Sequence, residues 1–86
     1  MNARPLNYQD KIKISNRISQ IRTNRGFAQS EFAEIMGVSK STIDQWENNK
    51  SMPHMKKIRL MAFIFKLTPE WILYGEGGKV EQIINR

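Results

Sequence analysis

The sequence predicts an all-α domain built from five short helices. Three observations lead there: apolar residues recur at spacings of three and four, no stretch alternates strictly enough for a strand, and helix caps and stops punctuate the chain. The first helix is expected from about Asp10 to Asn24, with Ile14, Ile18 and Ile21 on one face and Gly26 as its stop. The second is "QSEFAEIM", residues 29–36, burying Phe32, Ala33 and Met36 and stopped by Gly37. The third starts after Ser39, whose hydroxyl suits the free amides that follow and whose loss costs about 1 kcal/mol. It ends near Asn48, with Asn49 as the left-handed residue. The fourth opens at Pro53 and carries Ile58, Met61, Ala62 and Phe65. Thr68 as cap, Pro69, "EWILY" and Gly75 as stop define the fifth. Residues 1–9 then read as an N-terminal arm, 10–77 as the domain and 78–86 as a tail, whose Val80, Ile83 and Ile84 are free to dock on this subunit or on a partner.

Composition narrows the function. A chain of 86 residues is one domain that hides roughly 60–65% of its unfolded surface, a small core that still suffices. Without cysteine, disulfides and thiolate metal sites are excluded, and the composition fits a reducing cytoplasm. "MNARPLNYQDKIKISNR" has no apolar run of signal-peptide length, and "LMAFIF" at 60–65 is too short to span a membrane. The net charge of +6 includes Arg4, Lys11, Lys13, Arg17, Arg22 and Arg25 against Asp10 alone in the first 25 residues. Such an excess favours polyanions and says nothing about fold. Lys56, Lys57 and Arg59 form a second basic cluster, read as a solvated face with long-range attraction for such partners.

The stretch "GVSKSTIDQWENNK" carries the functional signal. At 100° per residue Lys40, Asp44, Asn48, Ser41 and Gln45 fall within an arc of roughly 140°, opposite Ile43 and Trp46. One face is anchored and the other is left for an external partner. Counting twenty positions from Gln29, Ala33 is fifth, Gly37 ninth, Ile43 fifteenth and Trp46 eighteenth. Each has a steric reason if two helices cross steeply at a tight turn: a small residue at the crossing, a glycine in the turn, and two apolar side chains filling the angle. That is the helix-turn-helix arrangement, whose second helix enters the DNA major groove.

"RISQIRTNRGFAQSEFAEIMGVSKSTIDQWENNKSMP", followed by "LTPEWILYGEG", resembles the lambda-repressor-like, or XRE, family to which phage repressors and Cro proteins belong. The likeness covers residues 14–77. It implies a five-helix DNA-binding domain in which Lys40, Ser41, Asp44 and Gln45 meet base edges, with Asp44 near the rim. It also implies phosphate contacts from Gln29, Thr42, Asn48, Asn49 and Lys50, and an Arg22–Glu47 pair joining the first helix to the third. Gln45 suits adenine and Lys40 guanine, while Asp44 is repelled by phosphates unless it accepts from a cytosine amino group. Two departures stand out. Ala28 replaces the usual capping side chain before the second helix, and Lys66 replaces the usual glycine after the fourth.

The remaining features read as structure. Trp46 and Trp71 fall on apolar stripes as core anchors, the methionines as packing, and His54 as an exposed side chain without companions for a metal. No nucleophile, spaced carboxylate pair or glycine-rich phosphate loop suggests an enzyme, and neither cofactor nor small-molecule ligand is expected. No peptidase domain of the kind that follows this module in many phage repressors is present, so self-cleavage is not expected of this chain. The expected function is a sequence-specific regulator of the phage-repressor type. It would bind a near-palindromic duplex operator as a homodimer in the cytoplasm, the dimer contact using Trp71, Val80, Ile83 and Ile84. The alternative is a protein-interaction module, an antitoxin or adaptor, that kept the fold without reading DNA.

Overall fold

Apolar stripes from five helices converge on one core in the structure, a computed structural model that describes residues 5–76. The helices are α1 (Tyr8–Asn24), α2 (Gln29–Met36), α3 (Lys40–Glu47), α4 (Met55–Phe65) and α5 (Pro69–Tyr74). Ile14, Ile18 and Ile21 of α1 meet Phe32 and Met36 of α2, Ile43 and Trp46 of α3, Ile58 and Met61 of α4, and Ile72 of α5. The periodicity in the sequence marks this same set, because only a spacing of three and four puts side chains on one side of a helix. α2 packs mainly on α3, while α1 supports both α3 and α5.

Two helix starts differ from the sequence expectation. α1 begins at Tyr8 rather than Asp10, so Tyr8 and Gln9 belong to the helix and not to an arm. The cause is a reciprocal cap: Asn7 Oδ1 accepts from the Asp10 amide at 2.8 Å, and Asp10 Oδ2 accepts from the Asn7 amide at 3.1 Å. α4 begins at Met55 rather than Pro53, with His54 extended in the cap position and making no side-chain cap bond. Pro53 is buried just before that cap and Ile58 is buried in the first turn beyond it, the positions of an apolar clasp around a helix start. The other bounds agree with expectation: Ser39 Oγ accepts from the Thr42 amide at 3.1 Å, and Thr68 Oγ1 accepts from the Trp71 amide at 3.1 Å.

Three basic side chains, Lys57, Arg25 and Arg17, are committed to carbonyls near helix C-termini. Lys57 Nζ donates to Met36 O at 2.8 Å and so caps α2; it is half-buried, not part of a solvated face. Arg25 donates to Ile21 O of α1 at 3.1 Å and to Phe65 O of α4 at 3.2 Å, with its guanidinium 4.7 Å from the Phe65 ring centroid. Arg17 Nη1 donates to Ile72 O of α5 at 3.1 Å. A cation beside the last carbonyls of a helix satisfies them and complements the helix dipole.

Lys66 takes the left-handed conformation, φ 58°, that a glycine adopts freely. Strain from a side chain there is about 1–2 kcal/mol. Lys66→Gly is therefore expected to raise stability by about 0.5–1 kcal/mol, the flexibility of glycine offsetting part of the gain. Urea unfolding followed by tryptophan fluorescence checks this; a less stable variant contradicts it.

Candidate nucleic-acid interface

The corner between α2 and α3 is built from Gly37 and the residues around it. Gly37 stands at φ 71°, a conformation that a Cβ would strain. The Gly37 amide donates to Glu34 O at 3.3 Å and the Val38 amide to Ala33 O at 3.0 Å, which closes the end of α2 and turns the chain into α3. Ala33 is buried on α2, and Ile43 and Trp46 pin the inner side of α3 with 0% and 4% exposure. The opposite side is free: Lys40, Ser41, Asp44 and Gln45 are all exposed. So are Asn48 and Lys50, while Thr42 and Asn49 are half-buried.

Asn49 ends the helix with φ 58°, and the loop folds back on Gln45. The Lys50 and Ser51 amides donate to Gln45 O at 2.9 and 3.3 Å, and Ser51 Oγ lies 3.4 Å from Gln45 Oε1. Thr42 Oγ1 shares a 2.9 Å hydrogen bond with Ser39 Oγ. Ala28 provides no cap for α2; instead Glu31 Oε1 accepts from the Ala28 amide at 2.7 Å.

Behind this surface lies a polar brace. Arg22 Nε donates to Glu47 Oε2 at 2.6 Å, Nη2 to Glu47 Oε1 at 3.0 Å and Nη1 to Phe27 O at 2.8 Å. The two side chains are 16% and 7% exposed. Hydrogen bonding to Glu47 holds the Arg22 pKa above its ordinary value, against the opposing pull of burial. Gln29 Nε2 also donates to Glu47 Oε1, at 3.2 Å, and lies 3.5 Å from Asp44 Oδ1. Asn48 Nδ2 donates to Asp44 O at 2.9 Å and to Asp44 Oδ1 at 3.0 Å. The amide nitrogens of Gln29 and Asn48, which the family resemblance directs to phosphate, thus face carboxylates in the free protein. The Asn48–Asp44 bonds join residues four apart on one helix, whereas spacing along the chain carried no sign of the Gln29 bonds, because the α2–α3 corner alone brings those residues together.

Trp71 is half-buried on α5 and lines a shallow depression with Gln20, Ile21, Asn24, Arg25 and Leu67. Val80, Ile83 and Ile84 lie outside the described residues. Among the described residues no helix is long and apolar enough to cross a membrane.

Comparison with known proteins agrees with this geometry. The helix-turn-helix family model matches residues 18–72. The HTH-type transcriptional activator BcrR of Enterococcus faecalis is 29% identical over 65 residues, which are 76% of this chain and 32% of BcrR. The HTH-type transcriptional regulator DicA of Escherichia coli K12 is 29% identical over 68 residues, 79% of this chain and 50% of DicA. The chain therefore spans half or less of these relatives. Among solved structures, the biofilm master regulator SinR in complex with DNA matches at a TM-score of 0.63 and 30% identity, over 70% of this chain and 97% of that one.

Proposed function

The chain belongs to the helix-turn-helix family, and from that premise we propose that it is a sequence-specific transcriptional regulator that lays α3 in the major groove of duplex DNA. The observation that carries this reading is the division of α3 into a buried side, Ile43 and Trp46, and an exposed polar side, Lys40, Ser41, Asp44 and Gln45. Those four contact base edges and choose sequence; Thr42, Asn49, Lys50 and the free amides at the start of α2 hold phosphates and set register. Asn48, with both amide hydrogens turned to Asp44, contributes less to phosphate binding than the family resemblance implies.

Repression is the reading adopted, because occupying an operator is enough to block polymerase, whereas activation needs a further contact. The protein acts in the cytoplasm as a homodimer of the phage-repressor type. The five helices, from Tyr8 through Tyr74, and the chain on to residue 77 form the DNA-binding unit, and Trp71 with the 78–86 tail supplies the self-association surface. Two recognition helices then enter major grooves about 34 Å apart on a near-palindromic site.

Selection of binding sites from random duplex DNA tests this. Two symmetric half-sites about ten base pairs apart are expected. Lys40→Ala should relax preference at one position, whereas Lys50→Ala should lower affinity for every sequence alike. Recovery of no preferred sequence would remove the regulator reading.

A second reading, a protein-interaction module, draws support from Phe63, which is 83% exposed on α4. Salt separates the two readings. Phosphate contacts make affinity fall steeply as salt rises, and duplex DNA then competes with any protein partner.

A further inference from the structure

Asp44 sets a puzzle that the brace around it answers. An exposed carboxylate on a helix directed at phosphates lowers general affinity, so its presence needs a compensating gain. Its Oδ1 accepts from Asn48 Nδ2 at 3.0 Å and faces Gln29 Nε2 at 3.5 Å, while Oδ2 takes no hydrogen bond from the described residues. Gln29 is itself tied to Glu47 at 3.2 Å, and Glu47 to Arg22 of α1 at 2.6 Å. A continuous line of bonds therefore runs from α1 to the outer side of α3, ending on a carboxylate with one oxygen free.

We propose that Gln29 is a positioning residue, not a phosphate anchor, and that it aims the free oxygen of Asp44 at the exocyclic amino group of a cytosine. This rests on the reading of the chain as a DNA-binding regulator. The chemistry selects the base. A carboxylate only accepts hydrogen bonds, and in the major groove guanine offers N7 and O6 and thymine O4, all acceptors that repel it. Adenine offers a donor but sets the acceptor N7 beside it. Cytosine alone presents an amino group with no acceptor of its own on that edge, its other neighbour there being C5–H. Gln29 fits the positioning role because the only groups on its side chain able to bond phosphate are the N–H pair already turned to Glu47 and Asp44. Holding Asp44 in one place before DNA arrives also removes part of the ordering that binding would otherwise require.

Site selection with the full chain, run on the wild type, Gln29→Ala, Asp44→Asn and Gln29→Ala/Asp44→Asn, tests the assignment, with thermal midpoints confirming that each variant folds. The wild type should enrich cytosine at one position in each half-site. Asp44→Asn should erase that enrichment and spare the other positions. Gln29→Ala should reduce the same enrichment by about tenfold, and the double variant should be no worse than Asp44→Asn. Asp44→Asn keeps the shape of the side chain, so its effect is separable from a loss of fold. A Gln29→Ala protein that binds all sequences equally more weakly, with cytosine preference intact, would overturn the proposal. So would a wild-type site with no cytosine in register with α3, an outcome that leaves the regulator reading standing. A wild type that selects no sequence would take both down.

Discussion

Phe32→Ala is expected to lower the free energy of unfolding by about 3–5 kcal/mol, the range for deleting a buried aromatic ring. Phe32 is fully buried at the centre of α2, and its ring stacks on Phe65 with centroids 5.7 Å apart. Phe65 in turn lies against Phe27, at 6.4 Å, and under the Arg25 guanidinium. The ring thus connects α2, α4 and the loop after α1, and its loss leaves a cavity where three segments meet. Domains of this size have only about 5–15 kcal/mol in total, so the variant should be partly unfolded well below the wild-type midpoint. Urea titration read by tryptophan fluorescence measures it. A loss under 1 kcal/mol would mean that the site collapses to fill the gap, against the packing described.

Arg22→Ala should cost about 3 kcal/mol, enough to lower the thermal midpoint by roughly 15 °C. The reason is less the lost attraction than the stranded partner: Glu47, 7% exposed, would keep, among the described residues, the bond from Gln29 alone. The Phe27 carbonyl would lose its donor as well. An apolar replacement of both members removes the stranded charge, so Arg22→Met/Glu47→Leu should recover most of the stability lost by Arg22→Met alone. The coupling between the two positions is the signature. If the single variant stayed within 0.5 kcal/mol of wild type, the brace between α1 and α3 would have no energetic content. DNA affinity should follow stability in Arg22→Ala, because α3 is held in place through Glu47.

The helices were legible because burial forces a period on the sequence, and Ile14, Ile18 and Ile21 or Ile58, Met61 and Ala62 cannot share a side in any other secondary structure. Gly37, Asn49 and Gly75 were legible for a related reason, since few residues tolerate positive φ. Lys66 occupies the same conformation with no chemical sign of it in the side chain; the pointer was the family resemblance, which sets a glycine at that position. The start of α1 was missed because the reciprocal Asn7–Asp10 cap lies four to seven residues before Ile14, where the apolar stripe begins.

Lys57 was misleading for a deeper reason. A basic residue looks solvated in a linear reading, and which helix end lies across from it is decided only by tertiary packing. The same holds at the candidate site. Exposure of Lys40, Ser41, Asp44 and Gln45 followed from their position opposite Ile43 and Trp46. The orientation of Gln29 did not, because its carboxylate partners are fifteen and eighteen residues away on another helix.

Intermolecular NOEs between the labelled protein and a selected duplex test the placement of α3 most directly. Side-chain protons of Ser41 and Gln45 should show contacts to cytosine H5 and thymine methyl protons, which line the major groove. Contacts confined to minor-groove protons, or arising from Phe63 on α4 while α3 stays silent, would contradict it.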